Sequence, residues 1–159
     1  QGHMKIKVSP HNIVNFLYEN YLLFLEYASA KQISLYFEKE TDSLEVWYDQ
    51  KQMQKVINNL LSNAVKYTER GRVSIRVTSA PAIIVADTGI GIAPEDVPRV
   101  FEKGYTGYNG RGGQKSTGLG LYLVHQTAEM LHCRVSLSSR IGEGTSVTID
   151  LHQEELGKE

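Results

Sequence analysis

Polar side chains recur at helical spacing in the middle of the chain. Asn59, Asn63, Lys66 and Tyr67 stand at i, i+4, i+7 and i+8, so on a helix of about 3.6 residues per turn they share one stripe. The stripe would carry two carboxamides, an ammonium and a phenol beside the apolar face. An ordinary solvated helix flank has the same pattern, but asparagine is mildly unfavourable inside a helix. Two asparagines at this spacing therefore call for a functional explanation.

A carboxylate followed by glycines forms a second group. The segment Asp87-Thr88-Gly89-Ile90-Gly91-Ile92 comes directly after a predicted strand. An aspartate at a strand end can accept a hydrogen bond from an exocyclic amine, such as adenine presents. Gly89 and Gly91 would let the backbone approach a flat ligand closely. Taken alone, the segment is equally compatible with a simple turn.

Glycines also stand at the start of the last predicted helix. Lys115-Ser116-Thr117 precedes Gly118-Leu119-Gly120-Leu121. Free backbone N–H groups and the helix dipole favour an anion at such a position. Ser116 or Thr117 would serve as the N-cap residue. A helix cap and a phosphate seat are compatible, because one geometry serves both.

The segment between these two groups is rich in glycine and has little periodicity. It contains Phe101-Glu102-Lys103-Gly104-Tyr105-Thr106-Gly107 and then Gly110-Arg111-Gly112-Gly113. A lid over a nucleotide needs glycine hinges and basic residues near the phosphates, and Lys103, Arg111 and Lys115 would fit. Each basic residue by itself is equally compatible with ordinary solvent-exposed charge.

The elements that must position these groups alternate between helical and strand patterns. Ser9 as N-cap and Pro10 as first helical residue predict a helix up to about Ala30, and apolar spacing predicts further helices from about Met53 to Thr68 and over residues 119–131. Alternation predicts strands over residues 5–8, 33–38, 44–48, 72–78, 82–86, 134–139 and 145–151. This order predicts a two-layer α/β (α+β) sandwich, with one mostly antiparallel mixed sheet and helices on one of its faces.

Composition limits the function classes. The chain has 159 residues, with 17 basic and 18 acidic side chains, so it has no overall basic field for nucleic acid or a membrane surface. The single cysteine, Cys133, is expected to be a small buried residue rather than a catalytic thiol. We expect residues 1–4 to be an expression-tag remnant, residues 5–153 one domain, and residues 154–159 a charged tail.

The order of these groups resembles the catalytic domain of histidine kinases, within the ATPase superfamily that includes gyrase, a heat-shock chaperone and MutL. Residues 56–67 resemble the asparagine box and residues 87–92 the first glycine box. Residues 100–104 resemble the phenylalanine box and residues 116–121 the second glycine box. The resemblance extends over about residues 5–151, nearly the whole chain.

The resemblance implies a Bergerat-type fold with a mobile lid over ATP, and it assigns roles to residues. Asn63 would be the main Mg²⁺ ligand and Asn59 a nearby contributor, while Lys66 would contact phosphate. Tyr67 would pack near the purine or ribose, and Asp87 would bind adenine N6. The remaining implied ATP-binding residues are Gly89, Gly91, Ile92, Lys103, Arg111, Lys115, Ser116, Thr117, Gly118, Leu119, Gly120 and Leu121.

Position 59 distinguishes the branches of this superfamily. The resemblance implies that hydrolases of the gyrase type carry a glutamate there as general base, whereas this chain has Asn59. Neutral imidazole needs no such base, so phosphotransfer by positioning and charge stabilisation is favoured. Many family members also have an arginine soon after the phenylalanine box. This chain has Thr106 in that region, so Lys103 or Arg111 would have to substitute.

The partner predicted by the resemblance is a histidine-bearing dimerisation domain. In the phospho-acceptor motif of that domain, an acidic residue directly follows the histidine. None of His11, His125, His132 and His152 is followed by an acidic residue. The expected setting is therefore a monomeric cytoplasmic piece of a membrane-bound sensor kinase, with a response regulator downstream and no nucleic-acid or membrane contact of its own. Two alternatives remain: a nucleotide- or partner-binding module without transfer activity, and a hydrolase of the same superfamily.

Overall fold

Three helices lie on one face of a five-stranded sheet. The structure is a computed structural model, and it describes residues 5–103 and 120–152. Its elements in chain order are β1 (Ser9–Asn12), α1 (Ile13–Ala30), β2 (Ile33–Lys39), β3 (Glu45–Tyr48), α2 (Gln50–Lys66), β4 (Gly71–Thr78), β5 (Ala82–Asp87), a short 3-10 helix (Val97–Arg99), α3 (Gly120–Met130), β6 (Arg134–Arg140) and β7 (Gly144–Asp150).

The main sheet is mixed but mostly antiparallel, as predicted. Its strand order is β2-β4-β5-β7-β6. Among the strands that the structure describes, only β2 and β4 pair in parallel. The chain between them contains β3 and α2, since parallel neighbours need a long crossover. The prediction of a single sheet is wrong in one respect: β3 pairs with β1 in a separate two-stranded sheet.

The core lies between the sheet and the helices. Residues of β4 and β5 alternate between buried and more exposed positions, which places one face of each strand against the helices. Helix α2 contributes the largest stripe, with the buried apolar residues Met53, Val56, Ile57, Leu60, Leu61, Ala64 and Val65. Cys133 is buried, as expected for a small apolar residue, and burial raises the pKa of its thiol to about 11.

The N-terminal region differs from its prediction. Ser9 and Pro10 belong to β1 and do not start a helix, and residues 5–8 form no strand. Asn12 is the N-cap of α1, and its Oδ1 accepts from the backbone N–H groups of Val14 (3.1 Å) and Asn15 (3.4 Å). The local Ser-Pro signal was overridden by pairing of β1 with β3, in a short two-stranded sheet where a proline is tolerated.

Helix α2 is held at both ends. Asp49 is its N-cap and accepts from the backbone N–H of Gln52 (3.0 Å) through Oδ1 and from that of Lys7 (2.7 Å) through Oδ2. At the other end, Lys31 Nζ donates to the carbonyl oxygen of Val65 at 3.1 Å. Lys7 and Lys31 both belong to segments distant in sequence from the ends of α2 that they contact, so the tertiary fold fixes the position of this helix. Among the described residues, no helix has the length and apolarity needed to cross a membrane.

The cap at Asp49 generates a prediction about stability. Burial raises the pKa of Asp49, but backbone N–H groups outweigh that effect and hold the pKa below its usual value. The stabilisation is therefore present above the unfolded pKa of about 3.9 and is lost as pH falls through the folded value. We expect Asp49→Ala to cost about 1–2 kcal/mol near neutral pH. The cost should shrink as the pH is lowered below the unfolded pKa.

Urea unfolding over a pH series measures this cost. Asp42→Ala is the control, because the side chain of Asp42 is 96% exposed and its loss should change stability by less than about 0.5 kcal/mol. A cost of Asp49→Ala that stays constant down to acidic pH would contradict the charged-cap explanation.

Candidate functional site

Asp87 is the half-buried last residue of β5, and strand alternation places it on the same face as the buried residues Ile83 and Val85. Its Oδ1 accepts two backbone hydrogen bonds, from Gly89 (2.8 Å) and from Thr145 of β7 (3.2 Å). No described residue donates a hydrogen bond to Oδ2. Burial raises the pKa of Asp87, and the two N–H groups oppose that effect. Within the described residues, the geometry thus leaves one oxygen of this partly desolvated carboxylate without a donor.

Gly89 is fitted against the end of α2. A Cβ at this position would collide with the carbonyl oxygen of Tyr67 and would stand 2.9 Å from Oδ1 of Asp87. The neighbouring Ile90 N–H donates to that same Tyr67 oxygen at 3.2 Å. Thr68 is fully buried beside it and donates from Oγ1 to the carbonyl oxygen of Ala64 at 2.7 Å. The segment after β5 is thus joined to the C-terminal end of α2, which explains why glycine is required.

The other side of this segment contacts the turn between β6 and β7. The carbonyl oxygen of Ile90 accepts from the N–H of Gly142 at 2.8 Å, and the N–H of Ile92 donates to Ser139 Oγ at 2.8 Å. Gly91 has φ +79, and a Cβ there would collide with the backbone of Arg140. Residues 88–92 are therefore enclosed between α2 and this turn.

Ser139 and Thr145 contact the candidate site, at Ile92 and Asp87, and sequence reasoning did not identify either of them. Ser139 lies 47 residues after Ile92, which it contacts, and Thr145 lies 58 residues after Asp87. The only local signal was the turn Gly142-Glu143-Gly144. That signal indicated a hairpin and nothing about Asp87.

Asn59 and Asn63 lie along a half-buried edge of α2. A Cβ on Gly120, in α3, would stand 3.1 Å from Asn63 Nδ2 and 3.6 Å from Asn63 Oδ1. Asn59 is also half-buried, one turn earlier. Lys66 Nζ lies 5.6 Å from the ring centroid of Tyr67, the C-cap of α2. Packing of α3 on α2 thus brings a glycine of the last predicted group against the polar stripe.

The residues after the 3-10 helix pack on α3. Phe101 and His125 have ring centroids 5.5 Å apart, and Lys103 Nζ lies 5.9 Å from the ring centroid of Tyr122. Leu121, a predicted site residue, is half-buried and packs against the core. The predicted site residues Arg111, Lys115, Ser116, Thr117, Gly118 and Leu119 lie outside the described residues.

The family of the chain follows from comparison with known proteins. Residues 48–155, more than half of the chain, match the family model described as "Histidine kinase-, DNA gyrase B-, and HSP90-like ATPase". The chain belongs to this ATPase family. Within it, the chain is a histidine-kinase ATPase domain of the sensor-kinase type.

Similarity to individual proteins agrees with that assignment. The sensor protein BceS of Bacillus subtilis (strain 168) is 35% identical over 143 residues, covering 86% of this chain and 43% of the relative. The chain spans less than half the length of the curated relatives it matches.

Two solved structures support the fold. The catalytic domain of histidine kinase ThkA matches with a TM-score of 0.79 at 24% identity, covering 90% of this chain and 95% of that chain. Full-length ShkA, solved in complex with AMPPNP, matches with a TM-score of 0.78 at 25% identity, covering 92% of this chain and 31% of that chain. The predicted two-layer fold is confirmed.

The donor set at α2 fits Mg²⁺ better than a softer metal. In the described part of the chain, no group of three or more His, Cys, Asp or Glu residues is placed to hold a metal ion. Carboxamide oxygens such as those of Asn63 and Asn59 suit Mg²⁺, which takes one or two protein oxygens and completes its shell with phosphates and waters. A glycine at position 120 lets the backbone of α3 pack close to the Asn63 carboxamide, because a Cβ there would stand only 3.1 Å from Asn63 Nδ2.

Two glycines of the β6–β7 turn allow a matched test of the packing around Asp87. Both have positive φ, +82 for Gly142 and +124 for Gly144. A Cβ on Gly142 would meet nothing within 4 Å, whereas one on Gly144 would collide with the carbonyl oxygen of Asp87. We expect Gly142→Ala to cost about 1–2 kcal/mol from backbone strain alone. Gly144→Ala should cost about 3–5 kcal/mol, because strain and overlap combine.

Urea unfolding of the two variants measures the difference. Gly142→Ala serves as the internal control for left-handed backbone strain. Equal costs for the two substitutions would mean that the turn does not press against Asp87.

Proposed function

We propose that this domain binds ATP with Mg²⁺ and donates the γ-phosphoryl group to a histidine on another domain of a longer sensor kinase. The observation that carries the proposal is the carboxylate of Asp87. Two backbone N–H groups hold its Oδ1, while Oδ2 has no donor among the described residues. The exocyclic amine of adenine is a donor of the right kind for Oδ2. Gly89 and Gly91 let the segment after Asp87 pack closely against Tyr67 and Arg140, which holds that segment beside the carboxylate.

The phosphate end of the proposed site lies along α2. Asn63 would be the main Mg²⁺ ligand, Asn59 a second contributor, and Lys66 a phosphate contact. Support comes from the half-buried positions of these residues on one edge of α2, with Gly120 against Asn63. Tyr67 follows Lys66, and its carbonyl oxygen accepts from the N–H of Ile90. It would lie between the two ends of the site and pack near the purine or ribose.

The remaining proposed contacts come from the backbone and from the glycine-rich segment. Ile92 would contribute a contact to ATP beside Gly91. Basic residues would neutralise phosphate charge, and glycine N–H groups at the start of the last helix would bind phosphate oxygens. These proposed contacts are Lys103, Arg111, Lys115, Ser116, Thr117, Gly118, Leu119, Gly120 and Leu121.

The proposed reaction is transfer rather than hydrolysis. Asn59 lacks the basicity needed to deprotonate water, whereas a neutral imidazole attacks phosphorus without a base. The chain's residues would orient the triphosphate and stabilise its charge, which is the main requirement for phosphoryl transfer. Mg²⁺, when bound, would neutralise charge on the phosphates.

The proposed partners are a histidine-bearing dimerisation domain and, downstream, a response regulator. Support comes from the names of the relatives, which are sensor proteins or sensor kinases, and from the share of their length that the chain spans. We also propose that the domain works on the cytoplasmic side of a membrane-bound sensor.

Calorimetric titration of ATP tests the adenine end. Asp87→Asn keeps the side-chain shape, and its oxygen can still accept from Gly89 and Thr145. Its amide nitrogen then faces the adenine amine, donor against donor. We expect ATP affinity in the presence of Mg²⁺ to fall about 10- to 100-fold, as for loss of a charge-assisted hydrogen bond. Asp42→Asn, at a 96% exposed side chain, is the matched control.

Two results of the titration would argue against the proposal. Unchanged affinity in Asp87→Asn would place adenine elsewhere. Absence of ATP binding by the unmodified protein would favour the alternative of a partner-binding module.

Phosphoryl transfer tests the other end. With γ-labelled ATP, Mg²⁺ and the parent's histidine-bearing domain supplied in trans, we expect phosphohistidine on that domain. The unmodified chain alone should carry no label. Asn63→Ala should slow transfer on the order of 100-fold, because a group that stabilises phosphate charge is lost. Asn15→Ala, at an exposed position of α1, should leave the rate unchanged.

Label appearing on the isolated chain would refute the assignment of the acceptor to another domain. Rapid release of inorganic phosphate without any acceptor would favour the hydrolase alternative.

A further inference from the structure

We propose that Ser139 is a positioning residue for the adenine end of the site, which it holds in place through Ile92 and Thr145. The proposal rests on the proposed function, since ATP is taken as the ligand. Ser139 lies on β6 directly opposite Thr145 of β7. It is half-buried on the face of the strand that carries Leu137, whereas its neighbour Ser138 is exposed on the other face.

The hydroxyl of Ser139 is fully used. Its Oγ lies 3.0 Å from the carbonyl oxygen of Gly144, 2.8 Å from Thr145 Oγ1 and 2.8 Å from the N–H of Ile92. A serine hydroxyl has one proton to donate and two lone pairs. The proton goes to Gly144, because a carbonyl oxygen can only accept. The lone pairs then accept from Ile92 N–H and from the hydroxyl of Thr145.

These three bonds join two segments that meet at Asp87. Thr145 donates its backbone N–H to Asp87 Oδ1 at 3.2 Å, and Gly144 packs against the carbonyl oxygen of Asp87. On the other side, Ile92 ends the glycine segment that begins at Asp87. The Ser139 hydroxyl therefore adds a second link, beside the hydrogen bond from Gly142 N–H to the Ile90 carbonyl oxygen, between the strands that support the carboxylate and the segment that would lie along the base.

Ser139 does not bond to Asp87, so it acts through other residues. Removing its oxygen would leave the N–H of Ile92 and the hydroxyl of Thr145 without this partner and would loosen Thr145. The N–H of Thr145 opposes the rise that burial causes in the pKa of Asp87. A weaker bond from Thr145 would therefore raise the pKa of Asp87 further.

The test compares Ser139→Ala with Ser138→Ala on the same strand. The first readout is the pH titration of the Asp87 carboxyl carbon by NMR in nucleotide-free protein. The midpoint should move upward in Ser139→Ala and stay in place in Ser138→Ala. Thr145→Val removes only the hydroxyl that donates to Ser139, keeps the backbone N–H, and should give a smaller upward move.

The second readout separates the two ends of the site. We expect Ser139→Ala to weaken ATP binding by about fivefold, the size of one hydrogen bond. Binding of inorganic triphosphate, which has no adenine, should be unchanged. A purely structural defect would instead weaken both ligands equally, and that result would overturn the proposal.

The outcomes also distinguish this inference from the proposed function. If the unmodified protein binds ATP but Ser139→Ala leaves both the Asp87 midpoint and ATP affinity unchanged, Ser139 is not a positioning residue. If the unmodified protein binds no ATP, the proposed function fails. If the titration midpoint of Asp87 then moves in Ser139→Ala but not in Ser138→Ala, Ser139 is still supported as the residue that positions Asp87. An unmoved midpoint in Ser139→Ala would refute that role.

Discussion

The pair of backbone hydrogen bonds to Oδ1 of Asp87 is the constraint around which the site is organised. A buried carboxylate is costly unless donors compensate for the water that it loses. One donor comes from Gly89, two residues later, and the other from Thr145, far along the chain. The carboxylate therefore has its required geometry only when β5, β7 and the glycine segment are assembled together. Its second oxygen, Oδ2, has no donor among the described residues. This is the oxygen that would accept from the ligand in the proposed site.

Helix α2 carries the other half of the same arrangement. Its apolar stripe packs into the core, and this packing fixes the direction in which Asn59 and Asn63, at the edge of the stripe, face the proposed site. Contacts from Lys7 and Gln52 fix its first turn through Asp49, and Lys31 contacts its last turn. Because the carbonyl oxygen of Tyr67 receives the N–H of Ile90, the position of the glycine segment follows that of the helix. Core packing and the geometry of the proposed ligand site thus depend on the same element.

Much of the fold was predictable because its signals are periodic. The stripe of α2 and the alternation in β2, β4 and β5 depend on burial of one face, which leaves a direct mark on residue order. The start of α1 was not predictable in this way. Ser9 and Pro10 have the local chemistry of a helix start, yet pairing with β3 makes them part of a strand. Pairing partners distant in sequence leave no such mark, so the separate two-stranded sheet was missed as well.

The sequence by itself determined which chemical groups the proposed site offers: the carboxamides of Asn59 and Asn63, the carboxylate of Asp87, and glycines where the backbone must come close. It also determined the class of fold, since helical and strand periods follow directly from residue order. Tertiary structure alone decided how these groups are held. Ser139 and Thr145 look like ordinary strand residues, and their part in the site comes from the pairing of β6 with β7 and of β7 with β5. The physical reason is that a hydrogen bond between distant segments depends on distances that only the assembled sheet defines.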